Sequence, residues 1–549
     1  MIETPSYRLD LERGYARMAS PGGGEDWLRL SLIAAVDAID VRDETLAVDE
    51  PSLDGRTVTV ERRSTLWERA GTTLVCRDDG IEVRTWVEGE AKLGAVHLLG
   101  GRRLGSASGS FPSGVHATEL FTANPGDPGR LTLAAGESAS IGVVGDGNPG
   151  RGHWFFTPAP LVFALRSPAG SWTGLSLVAP LEELRFPQVE LLGGDRALQL
   201  RLDYEGHTRT TGRFDAPVVL VSPGAADGYD AIARYRAAAP VPQRRHADAD
   251  WWRRPIFCGW GAQCALAGRE RVPAAELATQ ERYDAFLAAL EAHGVEPGTI
   301  VIDDKWQTAY GTNEPDRSKW PDLHGWIAAQ HDRGRRVLLW WKAWDVEGLD
   351  PELCIRTAEG EPVAVDPTNP ATRDLVGRML HALIAPGGLD ADGLKVDFTA
   401  RTPSGSALEL SGDDWGISLL HELLAVVYAG VKGAKSDALV LTQTPHPAFV
   451  DVTDMIRLND MLRLDDPGPL PPVVPQMRHR AAIVRAACPE LLVDTDDWAV
   501  PSKREWREYL EAKGELGVPS LYYATELDVS REPLDEDDYA AIRRAWGEA

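Results

Sequence analysis

Two rhythms of apolar and polar positions divide the chain. Up to about residue 240, apolar and polar residues alternate over short runs: Thr57–Val60, Thr72–Cys76, Ile81–Val87 and Leu198–Asp203. A period of two is that of a half-buried strand, and the clusters of Gly, Pro, Asp and Asn between runs, such as residues 124–129, are turn formers. This half therefore reads as antiparallel sheets packed face to face in a large β-sandwich.

The pattern changes across residues 239–254, where prolines and charges occur without periodicity, as in a linker. Beyond it, helical stretches are separated by short apolar runs, the rhythm of β/α units and a parallel sheet. The expected strands are Pro255–Trp260, Thr299–Asp304, Val337–Trp341, Gly393–Phe398, Ala438–Thr442, Met455–Leu458, Leu491–Asp494 and Ser520–Tyr523. Eight suit a closed (β/α)8 TIM barrel. Expected helices include Ala274–His293, Asp413–Lys432 with Asp413 as its cap, Val474–Ala487 and a final Asp535–Trp546. The expected division is thus a β domain over 1–245 and a barrel over 250–549, with little or no room for a C-terminal β-domain.

Composition narrows the partners. Among 549 residues, 57 Lys and Arg face 83 Asp and Glu, a formal charge of −26. Such a chain is repelled by nucleic-acid phosphates and anionic lipid, so neither nucleic acid nor a membrane is the expected partner. Five scattered cysteines form no disulfide framework and contain no CxxC. The N-terminus lacks a basic stretch followed by an apolar run, and the expected location is cytoplasmic. Assembly into a homo-oligomer is left open.

In a β/α barrel the reacting groups project from the C-terminal ends of the strands. Those ends here read Ile300-Val-Ile-Asp-Asp-Lys-Trp306, Leu339-Trp-Trp-Lys-Ala-Trp344, Leu394-Lys-Val-Asp-Phe398, Ile456-Arg-Leu-Asn-Asp460 and Val493-Asp-Thr-Asp-Asp-Trp498. Carboxylates and tryptophans thus converge on one rim. Convergent acids suit either a divalent cation or glycosidic cleavage by a nucleophilic carboxylate and a carboxylic acid. The 18 tryptophans favour sugar, because an indole face packs on a pyranose while carboxylates accept from its hydroxyls.

Alternation puts Lys395 and Asp397 on one face of their strand, with Val396 opposite. A buried lysine would keep Asp397 ionised, as a nucleophile requires, although a plain salt bridge inside the barrel would produce the same tripeptide. Asp460 would face Asp397 as the general acid, with Arg457 as a clamp; Asp451, Asp454, Asp465 and Asp466 compete with it for that place. Asp303 and Asp304, beside Trp306, suit sugar hydroxyls, a cation or a solvated turn. His324, His421 and His446 are expected on a loop or helix surface, without a role.

At these residues the sequence resembles glycoside hydrolase family 36, the α-galactosidase and raffinose-synthase-like enzymes, and its relatives in the same clan. The family's Ile-Asp-Asp-Gly-Trp-Gln run resembles Ile302–Gln307; its Lys-x-Asp nucleophile motif resembles Lys395–Asp397; its Arg-x-Ser-Asp acid/base motif resembles Arg457–Asp460. Cys258–Trp260 is loosely similar to the Gly-Trp-Cys start of the first strand, and residues 365–370 to an Asp-x-x-Asn-Pro run before the third helix. The resemblance spans roughly residues 258–460. It implies an N-terminal β-supersandwich before the barrel and a retaining α-glycosidase without a metal or other cofactor, most simply an exo-acting α-galactosidase on α-linked oligosaccharides. Asp397 would be the nucleophile and Asp460 the acid/base. Substrate would be held by Asp303, Asp304, Trp306, Trp341, Lys342, Lys395, Arg457 and Trp260. Lys305 stands for the family's glycine, Asn459 for its serine, and Trp341-Lys-Ala-Trp-Asp345 for Trp-Phe-Glu-Pro-Glu, so the lining departs more than the reacting pair. An α-galactosyl transglycosylase, a silent carbohydrate-binding barrel and a divalent-metal barrel enzyme are the alternatives.

Overall fold

A computed structural model describes residues 1–12, 14–112, 118–124, 130–144, 155–194, 197–461 and 472–547. Part of the turn over 124–129, together with Asp465 and Asp466, lies outside them.

The alternating runs of the first half form antiparallel strands. Ile2–Glu3, Arg8–Glu12, Tyr15–Ala19, Asp26–Ser31 and Phe111–Pro112 make one five-stranded sheet. The rest is organised by an 18-residue strand, Ile81–Leu98. Its first half pairs with Arg69–Cys76, Arg209–Asp215 and Val218–Ala225, and its last residues pair with Ala35–Ala38 and Leu198–Asp203. The register slips between Leu93 and Val96. Gly94 sits in that slip because a β-carbon there would lie 2.9 Å from the Ala38 carbonyl oxygen.

From Ile256 the pairing turns parallel. Barrel strands β1 (Ile256–Cys258), β2 (Thr299–Ile302), β3 (Arg336–Lys342), β4 (Gly393–Asp397), β5 (Leu439–Thr442), β6 (Met455–Arg457), β7 (Leu492–Asp494) and β8 (Ser520–Leu521) lie in the order 7-6-5-4-3-2-1-8. The open edges approach each other: Val518 N–H donates to the Val493 carbonyl at 2.7 Å, Thr495 N–H to Val518 at 3.1 Å, and β8 pairs with β1. The result is an eight-stranded near-barrel. Its strands are nearly continuous apolar runs because both faces are covered. Helices stand between consecutive strands except β5 and β6, which are joined by a short turn of 3-10 helix at Pro447–Phe449.

All eight expected strands are present, each within a few residues of its expected ends. Two helices differ. The stretch expected as Ala274–His293 is broken: Ala274–Leu277 is 3-10, and a new helix, Gln280–Ala292, starts where the Thr279 side chain accepts from Arg282 N–H. The helix expected from Asp413 begins at Ile417, and Asp413 does not cap it. Gly416, at φ +60°, turns the chain so that Ile417 and Ser418 N–H donate to the carbonyls of Phe186 and Leu184 in the β-rich half. Backbone from elsewhere in the fold therefore replaces the expected side-chain cap. This helix, Ile417–Ala434, is the one described helix long and apolar enough to span a membrane, but eleven of its residues are buried within the fold.

The two halves share further polar contacts. His207 stacks on Trp415 at 3.5 Å, and Tyr235 OH meets buried His446 Nε2 at 2.8 Å. His421 is also buried, beside Asp451 at 3.1 Å. His421 is thus a buried helix residue, not the surface one expected, and His446 lies in a loop, as expected, but a buried one, because tertiary packing that the sequence does not display covers both; His324 is exposed.

Candidate active site

The parallel register sets the site. Trp340 pairs with Lys395, Trp341 with Val396, and Lys342 with Asp397, so Trp340, Lys342, Lys395 and Asp397 share the inward face. Lys395 Nζ lies 2.7 Å from Asp303 Oδ2, which also receives the Cys258 thiol at 3.1 Å. The lysine expected to serve Asp397 thus bonds Asp303 directly and acts on Asp397 through the field.

Arg457 is the cation that touches Asp397. Its Nη2 donates to Asp397 Oδ1 at 3.1 Å and to Gln443 Oε1 at 2.9 Å, while its Nη1 donates to Asp460 Oδ1 at 3.1 Å and to Asp496 Oδ2 at 2.8 Å. One planar fork therefore holds three carboxylates. They differ in access: the side chains of Asp397 and Asp460 are 22% and 24% exposed, against 0% for Asp496 and 3% for Asp303. Of these four acids, the two expected to react are the two a substrate can reach.

Their environments separate their protonation. Burial would raise Asp397, but Arg457, Lys395 and hydrogen bonds from Phe398 N–H and Trp340 Nε1 outweigh it and hold the carboxyl below its ordinary range. Burial pushes Asp460 up to about 7; Arg457 opposes this, but the charges of Asp496 and Asp397 add to it. At neutral pH one acid is ionised and its neighbour holds a proton part of the time, the division that acid/base pairs rely on. Asp304, raised by burial to about 6, accepts from Tyr310 OH at 2.7 Å.

Several expected contacts are corrected. Trp306 is fully buried and donates to the Trp340 carbonyl at 2.8 Å, so it presents no face to a sugar. Trp341 points away from the barrel axis and lines a cavity with Leu349, Val376 and Met379, packing against the helix Pro370–Ile384. Parity decides this, since Val396, its register partner, also faces outward. Trp340, one residue earlier, donates from Nε1 to Asp397 Oδ2 at 3.1 Å. Lys342 stands at the rim, 2.7 Å from Asp345 and 3.9 Å from the Tyr310 ring centre. Trp260 begins the helix after β1 and meets Trp498 edge-on at 5.7 Å. Asp454 and Asp451 do not compete with Asp460: Asp454 is buried on Lys432 at 2.7 Å, and Asp451 pairs with His421.

Sequence reasoning missed Trp340, Asp496, Tyr310 and Arg480. Trp340 was recoverable from strand alternation, and Asp496 from its place just after the seventh strand. Nothing local marks Tyr310, eight residues beyond β2, or Arg480, midway along the helix Val473–Ala487. Backbone strain also gathers here: Trp344, Phe398, Asn459 and Asp496 hold φ between +54° and +71° just after barrel strands. Such conformations cost about 1–2 kcal/mol each in non-glycine residues and persist where packing enforces them. Among the described residues no three His, Cys, Asp or Glu side chains form a group able to hold a metal ion; Lys395 and Arg457 occupy the space between the acids.

No protein-family model and no curated protein matches this sequence. The architecture, a β-rich half followed by an eight-stranded parallel near-barrel, belongs to a class represented among solved glycosidase structures. The chain is similar to an α-N-acetylgalactosaminidase from Bifidobacterium bifidum in complex with GalNAc, at TM-score 0.65 and 14% identity over 100% of this chain and 92% of that one. It is similar to an α-galactosidase from Thermus thermophilus in complex with p-nitrophenyl α-D-galactopyranoside, at TM-score 0.54 and 16% identity over 90% and 94%. A GH31 family sulfoquinovosidase from E. rectale aligns at TM-score 0.59 and 12% identity over 98% and 82%. At these identities the likeness is one of fold.

Proposed function

We propose that this protein is a glycoside hydrolase that cleaves terminal α-glycosides with retention, most simply an exo-acting α-galactosidase, with the barrel of residues 250–549 carrying the chemistry and residues 1–245 forming a β-supersandwich. The observation that carries the reading is the Arg457 fork, which brings two accessible carboxyls together and leaves one ionised and the other able to hold a proton.

In the first step Asp397 attacks the anomeric carbon while Asp460 gives its proton to the departing glycosidic oxygen, leaving a glycosyl ester on Asp397. In the second, Asp460 takes a proton from water, whose oxygen displaces Asp397 and restores both acids. Asp397 must be ionised to attack, which Arg457 and Trp340 secure; Asp460 must begin protonated, which its burial beside Asp496 favours. Asp304, fixed by Tyr310, accepts from sugar hydroxyls; Asp303, expected to share that contact, is buried and instead anchors Lys395 beneath the site.

Aryl α-galactoside, α-glucoside and N-acetyl-α-galactosaminide, assayed in parallel, test the reading. Turnover of one of them that is lost in Asp397→Ala with folding intact supports it; wild-type activity in that variant sinks the nucleophile assignment. Products formed with an added sugar acceptor separate hydrolysis from transglycosylation.

A further inference from the structure

The reacting residue Asp460 follows β6 in an irregular segment, and an acid that must meet a departing oxygen needs its backbone fixed. Two elements distant in sequence fix it. From the helix Val473–Ala487, Arg480 sends Nη1 to three consecutive carbonyls, those of Leu458 at 2.7 Å, Asn459 at 2.8 Å and Asp460 at 2.8 Å. Its Nη2 donates to Gln476, and its guanidinium lies 4.2 Å from the Phe155 ring centre. Arg480 is 1% exposed, and among the described residues it has no ion-pair partner. A buried guanidinium with no carboxylate in contact is costly, and here backbone dipoles, an aromatic face and the nearby charges of Asp460 and Asp496 offset that cost in part.

The second element comes from the β-rich half. The Phe155 carbonyl accepts from Asn459 Nδ2 at 2.9 Å, holding the residue beside the acid in its φ +68° conformation. Two residues on, Thr157 N–H donates to the Gln443 carbonyl at 2.9 Å, and the Gln443 side chain in turn accepts from Arg457. Phe155–Thr157 thus touches both the acid's own segment and the support of the Arg457 fork.

We propose that Arg480 and the Asn459–Phe155 contact form a positioning clamp that aims the Asp460 carboxyl at the leaving group, so that the β-rich half completes the proton-donating side of the site. This rests on the reading of Asp460 as the general acid. None of the clamp groups is assigned contact with substrate.

The test is leaving-group selectivity, which a merely structural defect would not produce. In the full-length chain, Arg480→Lys and Asn459→Gly are assayed on phenyl and 2,4-dinitrophenyl α-glycosides of the preferred sugar, with Asp460→Ala as reference. Dinitrophenolate leaves without protonation, whereas phenolate benefits from it. General acid catalysis contributes roughly 10²–10⁴-fold, so a misaimed acid should lower kcat/KM on the phenyl glycoside by about 30-fold or more and on the dinitrophenyl glycoside by about 3-fold or less. Equal losses on both substrates, or no loss on the phenyl glycoside, overturn the clamp. If Asp460→Ala is selective and the clamp variants are not, only this inference fails; if Asp460→Ala is itself unselective, the acid assignment falls and the clamp with it. Should Arg480→Lys fold poorly, as judged by its melting profile, Asn459→Gly decides the matter, because glycine tolerates the left-handed backbone at that position.

Discussion

Asp496→Asn offers a prediction whose sign the structure fixes. Asp496 and Asp460 draw on the same nitrogen, Arg457 Nη1, at 2.8 and 3.1 Å, so their oxygens lie within about 6 Å of each other. At an effective dielectric of ~20, two like charges at that separation repel by about 2–3 kcal/mol, or roughly two pH units. Asparagine has nearly the same shape but no charge. Without Asp496's charge, Asp397 is the acid still raising Asp460, Arg457, Lys395 and Arg480 favour its ionised form, and Nη1 of Arg457 is freed to do so more strongly. Its pKa should fall from about 7 by roughly one to two units. Because Asp460 must start protonated, activity is lost as pH rises through that value. The basic limb of kcat/KM against pH should therefore move to lower pH in the variant, with the acidic limb, set by Asp397, moving less. Initial rates on a phenyl glycoside from pH 4 to 9 measure the basic limb, the acidic one lying below that window. A basic limb that stays in place or moves upward would refute the shared-nitrogen argument.

Three further outcomes are expected. Trp340→Phe keeps the ring and deletes the donor to Asp397; hydrogen bonds to charged groups are worth about 1.5–3 kcal/mol, so kcat/KM should drop by roughly 10- to 100-fold, whereas Trp341→Phe should leave kcat/KM within about 3-fold of wild type. Gly416→Ala should lower the melting temperature, since a β-carbon there would lie 2.1 Å from the Phe186 carbonyl and the left-handed backbone alone costs about 1–2 kcal/mol; an unchanged melting profile would count against the helix start described. Rates measured after exhaustive chelation should equal those before it, and a loss restored by a divalent cation would favour the metal-dependent alternative.

The strand pattern, and the placing of Asp397 and Asp460 at or just after the ends of the fourth and sixth barrel strands, were legible because both are local. Alternation locates β4, and the Lys395-Val396-Asp397 triplet declares its own inward face. The tryptophans show where local reading stops: Trp306, Trp340 and Trp341 all sit near strand ends, yet only register against Lys395 and Asp397 tells which one faces the axis. Lys395 was read as the guardian of Asp397, but in three dimensions β2 offers it Asp303, and Arg457 takes the other role. Asp413 was a sensible cap by residue type; the competing cap, two carbonyls from residues 184 and 186, lies more than 200 positions away in sequence. Arg480 leaves no local mark at all, because its role depends on which carbonyls β6 delivers to a helix formed after it.

In the proposed reaction Asp397 forms a covalent bond to sugar and Asp460 then activates the water that breaks it. In Asp460→Ala, a dinitrophenyl α-glycoside should still load the enzyme, because its leaving group needs no proton, while hydrolysis of the ester slows. Intact-protein mass measurement after mixing should then show one added glycosyl unit, and peptide mapping should place it on Asp397. Steady turnover with no adduct, or an adduct on another residue, would contradict the account.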